Sequence, residues 1–441
     1  MKSGSKLKSS LVKGTIQLTV AGAVTRVIGL VFRMALSRLV GAEGLGLFQM
    51  ILPVYALLAV TAGLGLSGAI TKMVADRHAR GDLPGQLQAR QVALRMVTVA
   101  ALAVSAALWI GLAFPLKFIP DGRILIAVRL MPAAVLFAAL TSILRGFFQG
   151  RSIMAPSAFS QVGEQLFRVL VGLAAANYLL PRGLEFALVG LVIGIIAGEI
   201  ACFSIIALMT GRENRLKTGV RQPRSLLQEM FFLAVPILVM RLSTAITQML
   251  ESLLIPSRLL EAGFSASQAT TLFGQLSGMA LPLVFLPTVL IIPLNTTLVP
   301  AVAGAVVLRL RRRLYGLVKI SLWGTLVLGA FSAMGLHLFA PALTGILYGS
   351  SAAAPLVARL APAVPFAYLQ FCTAAILHGM GRPGIAVVND LAGTLTGLAI
   401  IYALTARPEW GINGVVVGYS VSFMLIALAD CLAIAHLVRK V

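Results

Sequence analysis

The sequence predicts an all-α polytopic membrane protein of about twelve transmembrane helices in two pseudo-symmetric six-helix lobes. Three observations carry this: a chain that is 59% hydrophobic and only 11% charged, a succession of apolar runs of bilayer length, and an alternation of basic and nearly neutral connections. About a quarter of a soluble domain's residues are charged, so a water-soluble chain of this composition would have more apolar surface than it could bury. In hydrocarbon that surface needs no cover, and helices satisfy their own backbone hydrogen bonds.

A span needs roughly 20 apolar residues. Such runs fall at 13–40, 46–73, 92–115, 124–145, 156–180, 184–209, 228–256, 270–300, 315–338, 353–378, 384–406 and 412–436. Lysine and arginine divide unequally between the two sides. The N-terminus, the even-numbered connections and the C-terminus hold twenty-four, among them Lys72, Arg77, Arg145, Arg151, Arg221, Arg311, Arg312, Arg382 and Arg439. The opposite side holds six: Arg38, Lys117, Arg123, Arg182, Arg258 and Arg407. The positive-inside rule then places both termini in the cytoplasm, with a bacterial inner membrane as the expected location. It also accounts for the net charge of +22. That charge signals topology and attraction to membrane lipids, not nucleic acid. The apolar stretch after Lys13 carries Arg26 and Arg33 and is too long for a signal peptide, so it reads as a retained first helix.

The chain reads as a duplication, with lobes at 1–216 and 217–441. Gly150-Arg151 matches Gly381-Arg382, Leu52-Pro53-Val54 matches Leu281-Pro282-Leu283, and Val189-Gly190 matches Val417-Gly418, all at nearly the same offset. Repeats of six helices share one orientation and are common among transporters that rock one half against the other. The eighth run contains Pro282, Pro287 and Pro293, which predict bent helices.

Charge inside the membrane is the main pointer to function, because it is costly there unless it faces a cavity or a partner. Arg26 and Arg33 lie seven residues apart on one face of the first helix. Arg241, Thr244, Gln248 and Glu251 form a polar stripe on the seventh. These six are the candidate substrate-binding residues, lining a hydrophilic cavity with cations suited to phosphate. Glu164 and Arg168, at i and i+4, are expected to pair and to serve gating or ion coupling. Glu199 and Asp430 are isolated acids that could carry a proton, and Asp390 reads as interfacial.

Several signals point away from other chemistries. Gly379-Met380-Gly381-Arg382-Pro383-Gly384 has the spacing of a dinucleotide loop but bridges two membrane runs and follows no strand. The chain contains no phosphate-binding loop with lysine and no H-E-x-x-H. Cys202, Cys372 and Cys431 are scattered through apolar runs. No catalytic residue, cofactor or metal is expected.

The segment Thr25-Arg26-Val27-Ile28-Gly29, followed by Ser37 to Leu47 (Ser-Arg-Leu-Val-Gly-Ala-Glu-Gly-Leu-Gly-Leu), resembles the stage V sporulation protein B family. So do Leu144 to Gly150 with Ala155-Pro156, Gln161 to Arg168, and Gly274 to Leu283 ending in Leu298-Val299-Pro300-Ala301. The resemblance covers essentially the whole chain. It implies the multidrug/oligosaccharidyl-lipid/polysaccharide exporter superfamily: two six-helix lobes around a V-shaped cavity, moving an undecaprenyl-pyrophosphate-linked glycan across the membrane. Related lipid II flippases carry an Arg-Asp pair late in the first helix; the aligned positions here are Phe32-Arg33, so the acid is missing. The expected partners are a lipid-linked oligosaccharide, membrane lipids and a coupling cation, proton or sodium. A multidrug exporter would favour acidic or aromatic cavity residues, and a membrane glycosyltransferase would group carboxylates at one face. The basic stripes favour the flippase over both.

The charge asymmetry gives a direct test of topology. Cysteines introduced at Gly219 and Gly263 are expected to react with impermeant thiol reagents from opposite sides, the second from outside. Labelling from one side would defeat the twelve-helix reading.

Overall fold

The computed structural model describes residues 2–112, 119–210 and 224–440, and these residues are almost entirely helical. The first helix, α1 (Lys2–Gly63), makes two crossings, because it breaks at Gly41. There φ is 68° and ψ is −174°, a backbone conformation that costs glycine little and other residues much. The second crossing continues through the turn at Leu64 and Gly65 into α2 (Leu66–Ala79). Next come α3 (Leu83–Gly111), the short α4 (Leu125–Val128), α5 (Met131–Gly150), α6 (Ala155–Leu179), α7 (Leu184–Met209) and α8 (Arg224–Glu261). Then follow α9 (Ala266–Phe273), α10 (Leu281–Val284), α11 (Thr288–Val307), α12 (Arg311–Leu338), α13 (Ala340–Tyr348) and α14 (Ala354–Leu360). The last three are α15 (Val364–Gly379), α16 (Pro383–Thr405) and α17 (Ile412–Lys440).

Among the described residues 10 helical stretches are long and apolar enough to cross a membrane. The first, Ile16–Ala79, has 64 residues and holds two crossings. The amphipathic α6, with Ser157, Ser160, Gln161, Glu164, Gln165 and Arg168 along it, supplies the twelfth. Large apolar side chains lie bare along these stretches, with Phe232 82% exposed and Ile320 75%. Such surfaces are at home against lipid.

The expected bend in the eighth run is a full interruption. A π-helical segment, Gly274–Ala280, separates α9 from α10, and residues 285–287 separate α10 from α11. Pro282 and Pro287 flank the breaks; proline lacks an amide donor and its ring clashes with the carbonyl four residues back. The fourth and tenth runs are interrupted in the same way, before Pro132 and around Pro362 and Pro365. The described chain forms two compact units, Met1–Leu253 and Leu254–Val441, dividing within α8. The expected lobe boundary at 216/217 lies outside the described residues.

One matched pair of glycines performs a matched task in the two repeats. Gly190 lies so close to α6 that a Cβ there would stand 2.4 Å from the Ala176 amide nitrogen. Its counterpart Gly418 on α17 meets α16 equally tightly, 2.8 Å from the Gly397 carbonyl oxygen. Gly150 at the end of α5 is also close-packed, a Cβ there standing 2.5 Å from the Thr71 carbonyl oxygen, whereas its match Gly381 has a φ of 72° and nothing within 4 Å of a Cβ position. Small residues permitting backbone contact are the usual way membrane helices associate, since lipid supplies no hydrophobic drive between them.

The α6–α7 seam is the closest of these. Gly194 would place a Cβ 2.4 Å from Gly172 Cα and 2.6 Å from the Arg168 carbonyl oxygen, both backbone atoms that cannot swing aside. Gly194→Val is therefore expected to lower stability by about 1–3 kcal/mol through overpacking. Gly304→Val, at a glycine with nothing within 4 Å, should change it far less. Thermal unfolding of the purified protein in detergent measures both, and equal melting temperatures would show that the seam tolerates a side chain.

Candidate functional site

The α6–α7 seam carries the polar centre of the first unit. Along α6, Glu164 and Arg168 form the pair expected from their spacing, with Arg168 Nη2 donating to Glu164 Oε1 at 2.6 Å. Because Gly198 lets α7 press onto Glu164 and Arg168, the neighbouring Glu199 reaches the same guanidinium, at 3.1 Å from Arg168 Nη2. The Tyr55 hydroxyl of α1 donates to Glu199 Oε1 at 2.6 Å. From α5, Arg145 Nη2 donates to Glu164 Oε2 at 2.9 Å, and Arg145 Nε donates to Ser160 Oγ at 3.2 Å. Arg145 Nη2 also lies 2.9 Å from Cys202 Sγ.

Charge within this group is balanced: two guanidiniums, Arg145 and Arg168, face two carboxylates, Glu164 and Glu199. Glu199 is buried, and the other three keep 15–26% of their side-chain surface. Pairing of this kind is what allows ionisable groups to reside in a membrane interior. Arg168 has donor capacity to spare, since its Nε is buried and has no hydrogen-bond partner among the described residues.

A cavity of about 290 Å³ opens beside the group, lined by Thr25, Arg26, Gln161 and Gln165 with Arg145, Glu164 and Arg168. Its charged lining is three arginines against one glutamate. The structure thus brings Arg26 together with Glu164 and Arg168. It does not bring the other candidates to this cavity. Arg33 is half-buried on α1, one residue from the buried Phe32, which packs edge-on against Phe48. On α8, Arg241, Thr244 and Gln248 are exposed and Glu251 is half-buried; the Thr244 hydroxyl donates to the Met240 carbonyl at 3.3 Å.

Three members of the polar group carry no local sequence signal. Arg145 falls in a basic connection by charge counting but sits inside α5 on Glu164. Glu199 stands as an isolated acid in the sequence, and Tyr55 has no polar neighbour at helical spacing. Their partners lie 19, 31 and 144 residues away, beyond any local spacing rule. In the second unit, the buried Asp430 accepts from the Thr373 hydroxyl and from Asn389 Nδ2, both at 2.8 Å. Asp390 is held by Gln370 Nε2 at 2.7 Å.

On the side expected to face outward, Asp121 and Glu43 converge on Arg123. Its Nη2 stands 2.7 Å from Asp121 and 2.8 Å from Glu43. The hydrogen bonds to Asp121, joined by Glu43, raise the pKa of Arg123 further above its ordinary value.

The family model for polysaccharide biosynthesis proteins matches residues 11–305. The chain belongs to this family. Stage V sporulation protein B of Bacillus subtilis (strain 168) is 30% identical over 429 residues, covering 96% of this chain and 83% of that protein. The lipid II flippase MurJ of the same organism is 23% identical over 449 residues, covering 95% and 82%. Among solved structures, an inward-facing multidrug resistance MATE transporter of the MOP superfamily superposes with a TM-score of 0.75 at 16% identity, over 97% of this chain and 99% of that one. A MOP superfamily transporter from Pyrococcus furiosus gives 0.65, also at 16% identity, over 98% and 96%. This family member therefore has the MOP transporter fold and is a multi-pass membrane protein.

The balanced charges of this family member give a test of their interdependence. Arg168→Gln and Glu199→Gln should each destabilise it, by as much as about 3–5 kcal/mol where the abandoned charge stays buried. The double variant restores neutrality and should be less damaging than the two singles summed, with a coupling of about 1–3 kcal/mol. Melting temperatures of the purified variants read this out, and simple additivity would refute the pairing.

Proposed function

We propose that this protein is a flippase that moves undecaprenyl-pyrophosphate-linked glycan precursors from the cytoplasmic to the outer leaflet of a bacterial inner membrane, by alternating access and with both termini in the cytoplasm. One observation carries the reading: within the membrane-spanning part of the first unit, a cavity is lined by Arg26, Arg145 and Arg168 against a single carboxylate, Glu164. A pyrophosphate crossing a bilayer needs several guanidiniums, which chelate phosphate oxygens in a planar fork and keep their charge at any working pH. The membership of the polysaccharide biosynthesis family supports the glycan, and the likeness to MurJ, whose name records lipid II flipping, supports the lipid carrier.

Arg33 and the α8 stripe of Arg241, Thr244, Gln248 and Glu251 supply the remaining contacts of the polar headgroup. Glu164 and Arg168 couple the movement to a cation. Arg168 holds Glu164 and Glu199 together, so protonating either acid weakens one of its contacts and frees the guanidinium for phosphate.

The experiment is flipping in reconstituted vesicles, followed by the accessibility of a labelled lipid-linked sugar. Arg26→Ala, Arg33→Ala and Arg241→Ala are each expected to slow flipping while leaving membrane insertion intact. Losing one charge-assisted hydrogen bond costs about 1.5–3 kcal/mol, or roughly a ten- to hundredfold loss of affinity. Lysine should restore only part of the rate, keeping the charge without the fork. Wild-type flipping by all three folded alanine variants would remove the arginines from the substrate path.

A further inference from the structure

The second unit holds a groove of a different kind at the ends of two membrane helices. Both α12 and α17 pack against α15. Between the first turns of α12 and the last turns of α17 lies a groove of about 560 Å³, within the size range of small-molecule sites. Arg311 and Arg312 line it from the start of α12, and Arg439 lines it from the end of α17. None of the described lining residues is acidic. Below the arginines the walls are apolar: Val318 and Leu322 on one side, Ile434 and Val438 on the other. Val318, Ile434 and Val438 belong to the same core cluster as Ile376 of α15, so the apolar wall is built on the packed interior of the unit.

Polarity in the groove runs along the span direction. Arg311 and Arg439 stand at the ends of stretches long and apolar enough to cross the bilayer, which puts the three guanidiniums at headgroup level. From Arg311 to Leu322 the helix descends about 16 Å at roughly 1.5 Å per residue, so the apolar wall runs through most of one leaflet's share of an about 30 Å hydrocarbon core. Tyr315, also lining the groove and 60% exposed, sits where amphipathic rings anchor at the membrane–water boundary.

We propose that this groove binds an anionic phospholipid, its phosphate on Arg311, Arg312 and Arg439 and one acyl chain against the apolar wall. Charge complementarity selects the occupant. Three guanidiniums with no acidic residue among the described lining disfavour a zwitterionic lipid relative to one with net negative charge, and basic pockets between helices at the cytoplasmic surface are typical acceptors of anionic headgroups. The site lies entirely within the second unit and shares no residue with the cavity beside Arg26.

Native mass spectrometry of the full-length protein with added phosphatidylglycerol or phosphatidylethanolamine tests the proposal. The wild type should retain phosphatidylglycerol in preference to phosphatidylethanolamine. In the triple variant R311Q/R312Q/R439Q that retention should weaken about a hundredfold, since each arginine near an anionic headgroup contributes about 1 kcal/mol. Ala435→Trp, which fills the groove from an exposed position without altering charge, should also weaken it. A charge-matched control, R80Q/R95Q/R382Q, should retain the lipid as the wild type does. Absence of headgroup preference in the wild type, unchanged retention in both groove variants, or equal loss in the control would overturn the site. Displacement of phosphatidylglycerol by added undecaprenyl pyrophosphate from the wild type would instead assign the groove to the transported lipid and overturn the proposal.

Discussion

The close approach of α7 to α6 is the constraint on which the polar centre of the first unit depends. Gly190, Gly194 and Gly198 bring the two helices into backbone contact, and only at that separation can Glu199 reach a guanidinium rooted on the neighbouring helix. A bulkier seam would push Glu199 away from Arg168 and leave a carboxylate and a guanidinium short of partners inside the bilayer. Uncompensated buried charge is strongly destabilising, so glycine packing and the four-charge group stand or fall together. The hydroxyls of Tyr55 and Ser160 and the Cys202 thiol then occupy lone pairs and N–H groups that would otherwise face hydrocarbon.

The two units repeat a scaffold but not its chemistry. Gly190 and Gly418 both serve close helix contacts, and the fourth and tenth runs are both interrupted at prolines. Glu199 and Asp430 occupy comparable places on the sixth helix of each repeat. Glu199 meets a guanidinium, whereas Asp430 is held by the neutral donors Thr373 and Asn389. Neutral donors ease the burial of a carboxylate without cancelling its charge. The guanidinium cluster thus belongs to the first unit, where Arg26 adds a third cation to the cavity lining.

Much of this fold was legible in the sequence because a bilayer imposes length and polarity rules on every crossing. The first break was expected between residues 40 and 46 and occurs at Gly41. The prolines of the eighth run announced a bend, though not that Pro282 and Pro287 would leave three separate helices there. The site was only half legible. Spacing exposed Glu164 with Arg168 because a helix repeats every 3.6 residues. It could not expose Arg145 or Glu199, which join through contacts between helices, and positional charge counting placed Arg145 in a loop. The polarity of α6 was the available clue. A span with six polar or charged residues along it must turn them toward other polar groups, and Arg145 on one neighbour and Glu199 on the other are where such groups stood.

Grouped carboxylates at one face were the feature that would have favoured a transferase, and two carboxylates do meet there, Glu43 and Asp121. Their environment argues for a structural role. Asp121 accepts from the Arg123 backbone amide at 3.1 Å as well as from its guanidinium, and Glu43 is held by the same guanidinium. One guanidinium takes an oxygen of each carboxylate, so both are engaged as its ligands. The pair instead ties the start of the second crossing, just past the Gly41 break, to the short 3-10 turn at Gly122–Ile124. The same ionic physics that admits charge to the membrane interior here fastens the loops outside it.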